Sequence, residues 1–99
     1  MPYELAFKPS AWKEWQKLDA SVRAQLKKKL AERLANPHVP SAALTGGANL
    51  YKIKLRQLGY RLVYVVEEHI ITVTVVAVGK RERNAVYEAA LARLISIKK

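Results

Sequence analysis

Three stretches rich in β-branched and aromatic residues dominate the second half of the chain: LYKIKLR at 50–56, YRLVYVV at 60–66 and IITVTVVAV at 70–78. Short segments of turn-forming character, 57–59 and 67–69, separate them. Strand-length runs divided by two tight turns are typical of consecutive antiparallel strands. The sequence therefore predicts a three-stranded antiparallel meander in this region.

The N-terminal segment predicts a short strand followed by a helix. Residues 3–7 alternate in polarity and stop before Pro9, as a short strand does. Ser10 is suited to cap a helix whose apolar residues recur at helical spacing, namely Trp12, Trp15 and Leu18. The two tryptophans are large enough to anchor this helix on a small core.

A second helix follows, beginning at Asp19 or Ser21 and ending at Asn36-Pro37. It carries an i, i+4 apolar stripe of Val22, Leu26, Leu30 and Leu34. Its lysine triplet, Lys27 to Lys29, lies between those apolar positions and faces outward. Residues 36–49 are rich in proline, glycine and asparagine, which predicts a loop.

A C-terminal helix is predicted from Asn84 by the spacing of Val86, Ala90 and Leu94. Its core-facing side is expected to be mostly alanine: Ala85, Ala89, Ala90 and Ala92. Because alanine gains little free energy on burial, this helix is expected to dock more loosely than the first one. Hydrogen exchange tests this, with faster exchange expected over 85–95 than over 22–34.

These elements predict an α+β fold in one small domain spanning residues 1–99. The two N-terminal helices are expected to pack on one face of the antiparallel sheet. The opposite face is then free for Lys52 and Lys54.

Composition restricts the kind of partner. The chain has 18 Lys plus Arg against 8 Asp plus Glu, a net charge of +10, which implies a polyanionic or acidic partner. No cysteine is present, so disulfides and thiolate nucleophiles are excluded, and a reducing cytoplasm suits the chain. No apolar run approaches the roughly 20 residues of a membrane helix, so no membrane association is expected.

Seven of the cations lie between positions 52 and 83: Lys52, Lys54, Arg56, Arg61, Lys80, Arg81 and Arg83. Because side chains alternate along a strand, the first three share one face of the strand that contains them. A row of like charges is stable where water screens it or where a polyanion binds it. A solvated sheet face and a surface for a nucleic acid backbone are both compatible with the row, and the charge of the whole chain favours the second.

The ordered motifs resemble the signature of RelE, the ribosome-dependent mRNA-cleaving toxins of bacterial toxin–antitoxin pairs. The resemblance rests on YKIKLR at 51–56, GYRLVY at 59–64 and VGKRER at 78–83, followed by Val86-Tyr87. It also runs through the first two helices. It implies a small α+β toxin fold with a twisted antiparallel sheet. It further implies mRNA cleavage in the A site of the 70S ribosome, contact with 16S rRNA, and neutralisation by an acidic RelB-type antitoxin that binds operator DNA.

Carried over position by position, the resemblance assigns catalytic roles to Lys52, Lys54, Arg61, Arg81 and Tyr87. Additional RNA contacts are expected from Arg56, Lys80 and Arg83, with Lys27 and Lys28 adding long-range attraction. One departure is Thr45, which stands before Gly46 where the family often has a basic residue.

The chemistry of metal-free RNA cleavage fits these residue types. The ribose 2′-hydroxyl attacks its own phosphate, which requires a base, cations for the growing phosphorane charge and an acid for the leaving oxygen. His38 and His69 have no partner nearby in sequence and are expected to be surface loop residues. A lysine serves as base if its pKa falls from about 10.4, and neighbouring cations lower it.

Lys54 is therefore the preferred base, with Lys52 supporting it or sharing the role. Arg61 is expected to bind the non-bridging oxygens, Arg81 to neutralise the leaving oxygen, and Tyr87 to stack on a base or orient the 2′-hydroxyl. No cofactor or metal site is expected. Two alternatives stay open: a non-catalytic ParE-like toxin that inhibits gyrase, and a basic rRNA-binding module without turnover.

Overall fold

The computed structural model describes residues 2–45, 48–80, 82 and 85–97, without the side chains of 95–97. Three helices and four strands follow in the order β1 (Glu4–Phe7), α1 (Pro9–Gln16), α2 (Ala20–Ala35), β2 (Leu50–Leu55), β3 (Tyr60–Glu67), β4 (Thr72–Lys80) and α3 (Ala85–Ile97). The predicted α+β class is confirmed. None of the helices in these ranges is both long and apolar enough to cross a membrane.

The sheet has the order β1-β4-β3-β2, and its last three strands form the predicted antiparallel meander. β1 pairs in parallel with β4, so the sheet is mixed, a pairing that the sequence pattern did not indicate. A β-bulge between Val63 and Tyr64 shifts the register of β3 against β4. Because β2 is last in the strand order, it is an edge strand of the sheet.

The first helix begins differently from the prediction. Lys8 is the N-cap, Pro9 occupies the first helical turn, and Ser10 lies inside the helix rather than capping it. Proline fits this position because its fixed φ suits the helix and no backbone N–H is needed there. Asp19 does occupy the N-cap of α2, although its side chain makes no capping hydrogen bond.

Two apolar clusters lie on opposite faces of the sheet. α1 and α2 cover the larger one, which includes Leu26, Leu30, Leu62 and Tyr64. Tyr64 belongs to this cluster, and the half-buried Tyr51 and Tyr60 pack against it. Trp15 packs against this cluster, whereas Trp12 is 46% exposed, so only one of the two predicted anchors reaches the core.

The opposite face was predicted to be free for Lys52 and Lys54. In the structure α3 covers part of it. Val86 and Ala90 of this helix pack on Val63, Val76 and Ala77. Of the four alanines expected to face the core, Ala90 is buried, Ala89 is half-buried, and Ala85 and Ala92 are exposed. The reason is the helical period, since the face that contains positions 86 and 90 turns 85 and 92 away from the sheet.

The turn between β2 and β3 depends on a glycine. Gly59 has φ of +73°, and its N–H donates to the carbonyl of Leu55 at 2.8 Å. A side chain at this φ costs roughly 1–2 kcal/mol, so Gly59→Ala is expected to lower the free energy of unfolding by that amount. Urea denaturation measures it. The matched control is Gly79→Ala, where the added Cβ meets Val86 at an ordinary 3.6 Å; an equal loss there would contradict the assignment.

Candidate functional site

The strand register brings predicted site residues into one row across the sheet. Lys54 of β2 stands directly opposite Arg61 of β3, which stands opposite Gly79 of β4. Directly opposite residues share a face of the sheet and have closely spaced Cβ atoms. Lys54 is exposed and Arg61 is half-buried. A cationic pair therefore lies on the α3 face, at the margin that this helix leaves open.

Tyr87, in the first turns of α3, completes this arrangement. The guanidinium carbon of Arg61 lies 4.9 Å from the centroid of the Tyr87 ring, within the range of a cation–π interaction. Burial raises the pKa of the Tyr87 phenol, and the charge of Arg61 acts in the opposite sense. At neutral pH the phenol is protonated and remains a hydrogen-bond donor.

The Tyr87 hydroxyl is buried, and within the described part of the chain it has no hydrogen-bond partner. A buried polar atom of this kind carries a free-energy cost, and a functional role is one explanation for its retention. The ring that carries this hydroxyl stacks on the guanidinium of Arg61.

Lys52 lies one pleat from Lys54, on a part of β2 whose outer edge is closed. The Leu50 carbonyl accepts from the Leu44 N–H at 2.9 Å, and the Lys52 carbonyl accepts from Arg33 at 3.1 Å. Because alternate residues point their backbone groups to the same edge, the next outward-pointing residue is Lys54. The outer edge of β2 is therefore open at the exposed Lys54.

Two adjoining cavities flank this opening, between α2 and β2. One, of about 300 Å³, is lined by Gln25, Lys29, Lys54, Leu55, Arg56, Gln57 and Leu58. The other, of about 290 Å³, is lined by Arg33, Ser41, Ala42, Lys52, Lys54 and Arg56. They share Lys54 and Arg56, and no carboxylate is among these lining residues. We call them together the α2–β2 groove, a cationic channel that leads to Lys54.

Comparisons with known proteins agree with the motifs. Residues 5–85 match the family model described as ParE toxin of type II toxin–antitoxin system, parDE. The mRNA interferase toxin RelE of Escherichia coli K12 is 50% identical over 96% of this chain and 100% of its own length. The chain belongs to the RelE-type toxins of the RelE/ParE superfamily.

Solved structures of RelE-type toxins have the same fold. The free E. coli RelE R81A/R83A mutant is 49% identical, with a TM-score of 0.87 over 95% of this chain and 99% of that chain. The toxin in the intact E. coli RelBE toxin–antitoxin complex is 52% identical, with a TM-score of 0.79 over 82% of this chain and 99% of that chain.

Other cations predicted for this RelE-type toxin are distributed differently. Lys80 stands opposite Tyr60, so strand alternation turns it to the face opposite Arg61. Lys28 lines a cavity with Gln25, Lys29 and Glu32. Lys27 is exposed and lines none of the three cavities named here. The predicted contributions of Arg81 and Arg83 lie outside the described residues.

Lys29 and Arg33 are site candidates that sequence reasoning missed. They are four residues apart and therefore neighbours on one flank of α2. That spacing was readable in the sequence, but which flank meets β2 was not. Arg33 also donates to the Tyr64 hydroxyl at 2.8 Å, so it joins the core to the groove.

The two histidines take the loop positions predicted for them. His69 is exposed in the short 3-10 turn Glu68–Ile70. His38 is half-exposed and bonds to the Tyr51 hydroxyl at 3.0 Å and to the Glu68 carboxylate. These partners come from distant parts of the chain, which explains why the sequence did not reveal them. The network ties the loop after α2 to the sheet.

Proposed function

We propose that this protein is an endoribonuclease toxin that cleaves mRNA in the ribosomal A site and is neutralised by a cognate antitoxin. The observation that carries the proposal is the Lys54–Arg61 pair, with Tyr87 stacked on Arg61, on a chain half identical to a protein named mRNA interferase toxin RelE. The whole chain acts as one domain. It acts in the cytoplasm, where its ribosomal substrate is.

The reaction is transesterification at one phosphodiester. The 2′-oxygen forms a bond to phosphorus while the bond from phosphorus to the 5′-oxygen breaks, leaving a 2′,3′-cyclic phosphate and a 5′-hydroxyl. Lys54, as the neutral amine, takes the 2′-hydroxyl proton, and Lys52 supports it or shares this role. Arg61 binds the non-bridging oxygens through its planar fork of donors. The leaving 5′-oxygen takes a proton from water to become the 5′-hydroxyl, and Arg81 neutralises the negative charge that develops on it.

Tyr87 orients the 2′-hydroxyl and fixes Arg61. Two roles were open for this residue, stacking on a base and orienting the nucleophile. One face of its ring already carries the guanidinium of Arg61, and its buried hydroxyl has no hydrogen-bond partner among the described residues. Both observations favour the second role. The stacked tyrosine also limits the motion of Arg61, which preorganises the phosphate-binding donors.

The ribosome supplies the positioning that this open site lacks. The α2–β2 groove holds the RNA backbone next to Lys54 through Lys29, Arg33 and Arg56. Lys80 and Arg83, with Lys27 and Lys28, add electrostatic attraction to mRNA and 16S rRNA phosphates. Cleavage is therefore faster on the ribosome than on free RNA, because a bound codon is presented to the cationic row in one orientation.

The antitoxin is an acidic RelB-type protein, and operator DNA binding belongs to the antitoxin part of the complex. It neutralises the toxin by covering the cationic row or by displacing α3, which carries Tyr87. Footprinting of the complex by hydrogen exchange tests this. Protection is expected within 52–61 or a change within 81–95 when the antitoxin binds, and a partner that leaves both ranges untouched would contradict it.

The decisive experiment uses purified protein and programmed 70S ribosomes, with the mRNA 5′ ends mapped after incubation. Cuts within the A-site codon that disappear in Lys54→Ala and Arg81→Ala support the proposal. Binding without cleavage by the wild-type protein supports an rRNA-binding module. DNA breaks in a parallel gyrase assay support the ParE-like alternative.

A further inference from the structure

An ion pair joins the first and the last helix, α1 and α3, beside β4 and therefore away from the β2 edge of the sheet. Glu14 of α1 and Arg93 of α3 form a bidentate pair, with N–O distances of 2.9 and 2.8 Å. Both side chains are mostly shielded from water. A bidentate guanidinium–carboxylate pair fixes orientation as well as distance. The reaction described above uses neither residue.

The pair also completes the open edge of β4. β1 pairs with β4 only as far as Phe7 and Val75. Beyond that point the Val78 N–H donates to Glu14 Oε1 at 3.1 Å, and Arg93 donates to the Val76 carbonyl at 2.7 Å. The two side chains thus replace a neighbouring strand. Their loss leaves a backbone donor and a backbone acceptor unpaired at this edge.

This attachment acts on the helix that carries Tyr87. Arg93 lies six residues after Tyr87, about 9 Å along the axis of α3. The rest of the helix docks through two buried side chains, Val86 and Ala90, while its other apolar residues on this face, Tyr87, Ala89, Leu91 and Leu94, are only partly buried. A rotation or tilt of α3 therefore moves the Tyr87 ring off the Arg61 guanidinium.

We propose that the Glu14–Arg93 pair is a positioning pair, which holds α3 against the edge of β4 and thereby keeps Tyr87 over Arg61. The inference rests on the proposed function. The ionisation of Glu14 supports it: burial raises the pKa of its carboxyl, but Arg93 and the Val78 N–H outweigh burial and hold the pKa below the ordinary 4.5. The carboxylate is therefore charged at neutral pH, and the pair is lost only as the pH falls through this lowered pKa.

Glu14→Gln tests the inference through the cleavage kinetics of ribosome-bound mRNA. We expect kcat to fall about tenfold, because a displaced catalytic group loses rate without losing substrate binding, and KM to change less than about twofold. Arg93→Lys, which keeps the charge but loses the bidentate geometry, gives a smaller fall. The matched control is Glu88→Gln, the same charge change at an exposed position of α3, with kcat unchanged.

A double-mutant cycle separates positioning from a general loss of stability. In a Tyr87→Ala background, Glu14→Gln is expected to have no further effect on kcat, because the group that the pair positions is already absent. An undiminished tenfold fall in that background would overturn the inference. Thermal unfolding of each variant identifies any rate loss that comes from unfolded protein.

A second measurement, which does not depend on mRNA cleavage, tests the positioning role separately from the proposed function. In protein labelled with ¹³C-tyrosine, the phenol of Tyr87 is expected to titrate closer to the ordinary pKa of 10.0 in Glu14→Gln than in wild type, because undocking of α3 reduces its burial. An unchanged Tyr87 titration would overturn the inference even if wild type cleaves. A shifted titration in a protein that never cleaves mRNA would leave the docking role intact and reject the proposed function.

Discussion

Arg61→Ala is expected to slow cleavage of ribosome-bound mRNA by roughly 10²–10³-fold, the range typical of removing one preorganised donor to transition-state charge. Arg61 is the site residue that neighbours both of the other described site residues of this row, Lys54 and Tyr87. It faces Lys54 across the β2–β3 ladder and carries the Tyr87 ring at 4.9 Å. Single-turnover cleavage with excess toxin measures the chemical step separately from ribosome binding.

Two further variants decide what the guanidinium contributes. Arg61→Lys keeps the charge but lacks the planar fork and stacks less well on an aromatic ring, so we expect it to recover only part of the rate. Lys13→Ala removes one cation from the exposed surface of α1 and is expected to cleave at the wild-type rate. A wild-type rate in Arg61→Lys would mean that charge alone is used. An equal loss in Lys13→Ala would mean that the site is not localised at Arg61.

The part of this site that follows local periodicity could be predicted from the sequence. Alternation placed Lys52 and Lys54 on one face of β2, and the short hairpin through Gly59 brought Arg61 opposite Lys54. Alternation also placed Tyr64 in the core. These relations depend on residues close in sequence, where the strand period and the turn length fix the geometry.

The relations that the sequence did not reveal all join distant segments. The stack of Tyr87 on Arg61 depends on how α3 crosses the sheet, and the sequence did not indicate which face α3 covers. The Glu14–Arg93 pair spans 79 positions. The parallel pairing of β1 with β4 has the same origin, since a four-residue strand carries no pattern that selects its neighbour. Local rules identify the elements, and packing determines which of their faces meet.

Helix geometry explains why Lys29 lines the α2–β2 groove, although Lys27 and Lys28 were the α2 lysines predicted to attract RNA. Successive residues are about 100° apart around a helix, so Lys27 and Lys29 lie about 200° apart on α2. Lys29 lines the α2–β2 groove with Lys54 and Arg56, and the flank that carries Lys27 points elsewhere. A lysine triplet always places its members in different directions. Only the side that meets β2 can continue the cationic row.

The double variant Lys29→Ala/Arg56→Ala is expected to weaken binding to programmed ribosomes in a strongly salt-dependent way. Each phosphate contact to a single strand contributes about 0.7 to the slope of log affinity against log salt concentration, so two lost contacts lower the slope by about 1.4. That difference corresponds to roughly 25-fold weaker binding at 0.1 M salt and to almost none at 1 M. An mRNA with a 2′-deoxy A-site codon allows binding to be measured without cleavage.

The matched control is Lys27→Ala/Lys28→Ala, which removes the same charge from the same helix. These lysines act through long-range attraction, which salt screens within about 10 Å at 0.1 M, so this variant is expected to associate more slowly with a slope closer to wild type. If both doubles lose the same affinity and the same slope, bulk charge accounts for binding and the groove has no special role. If only the groove double loses slope, the RNA backbone follows the channel between α2 and β2 toward Lys54.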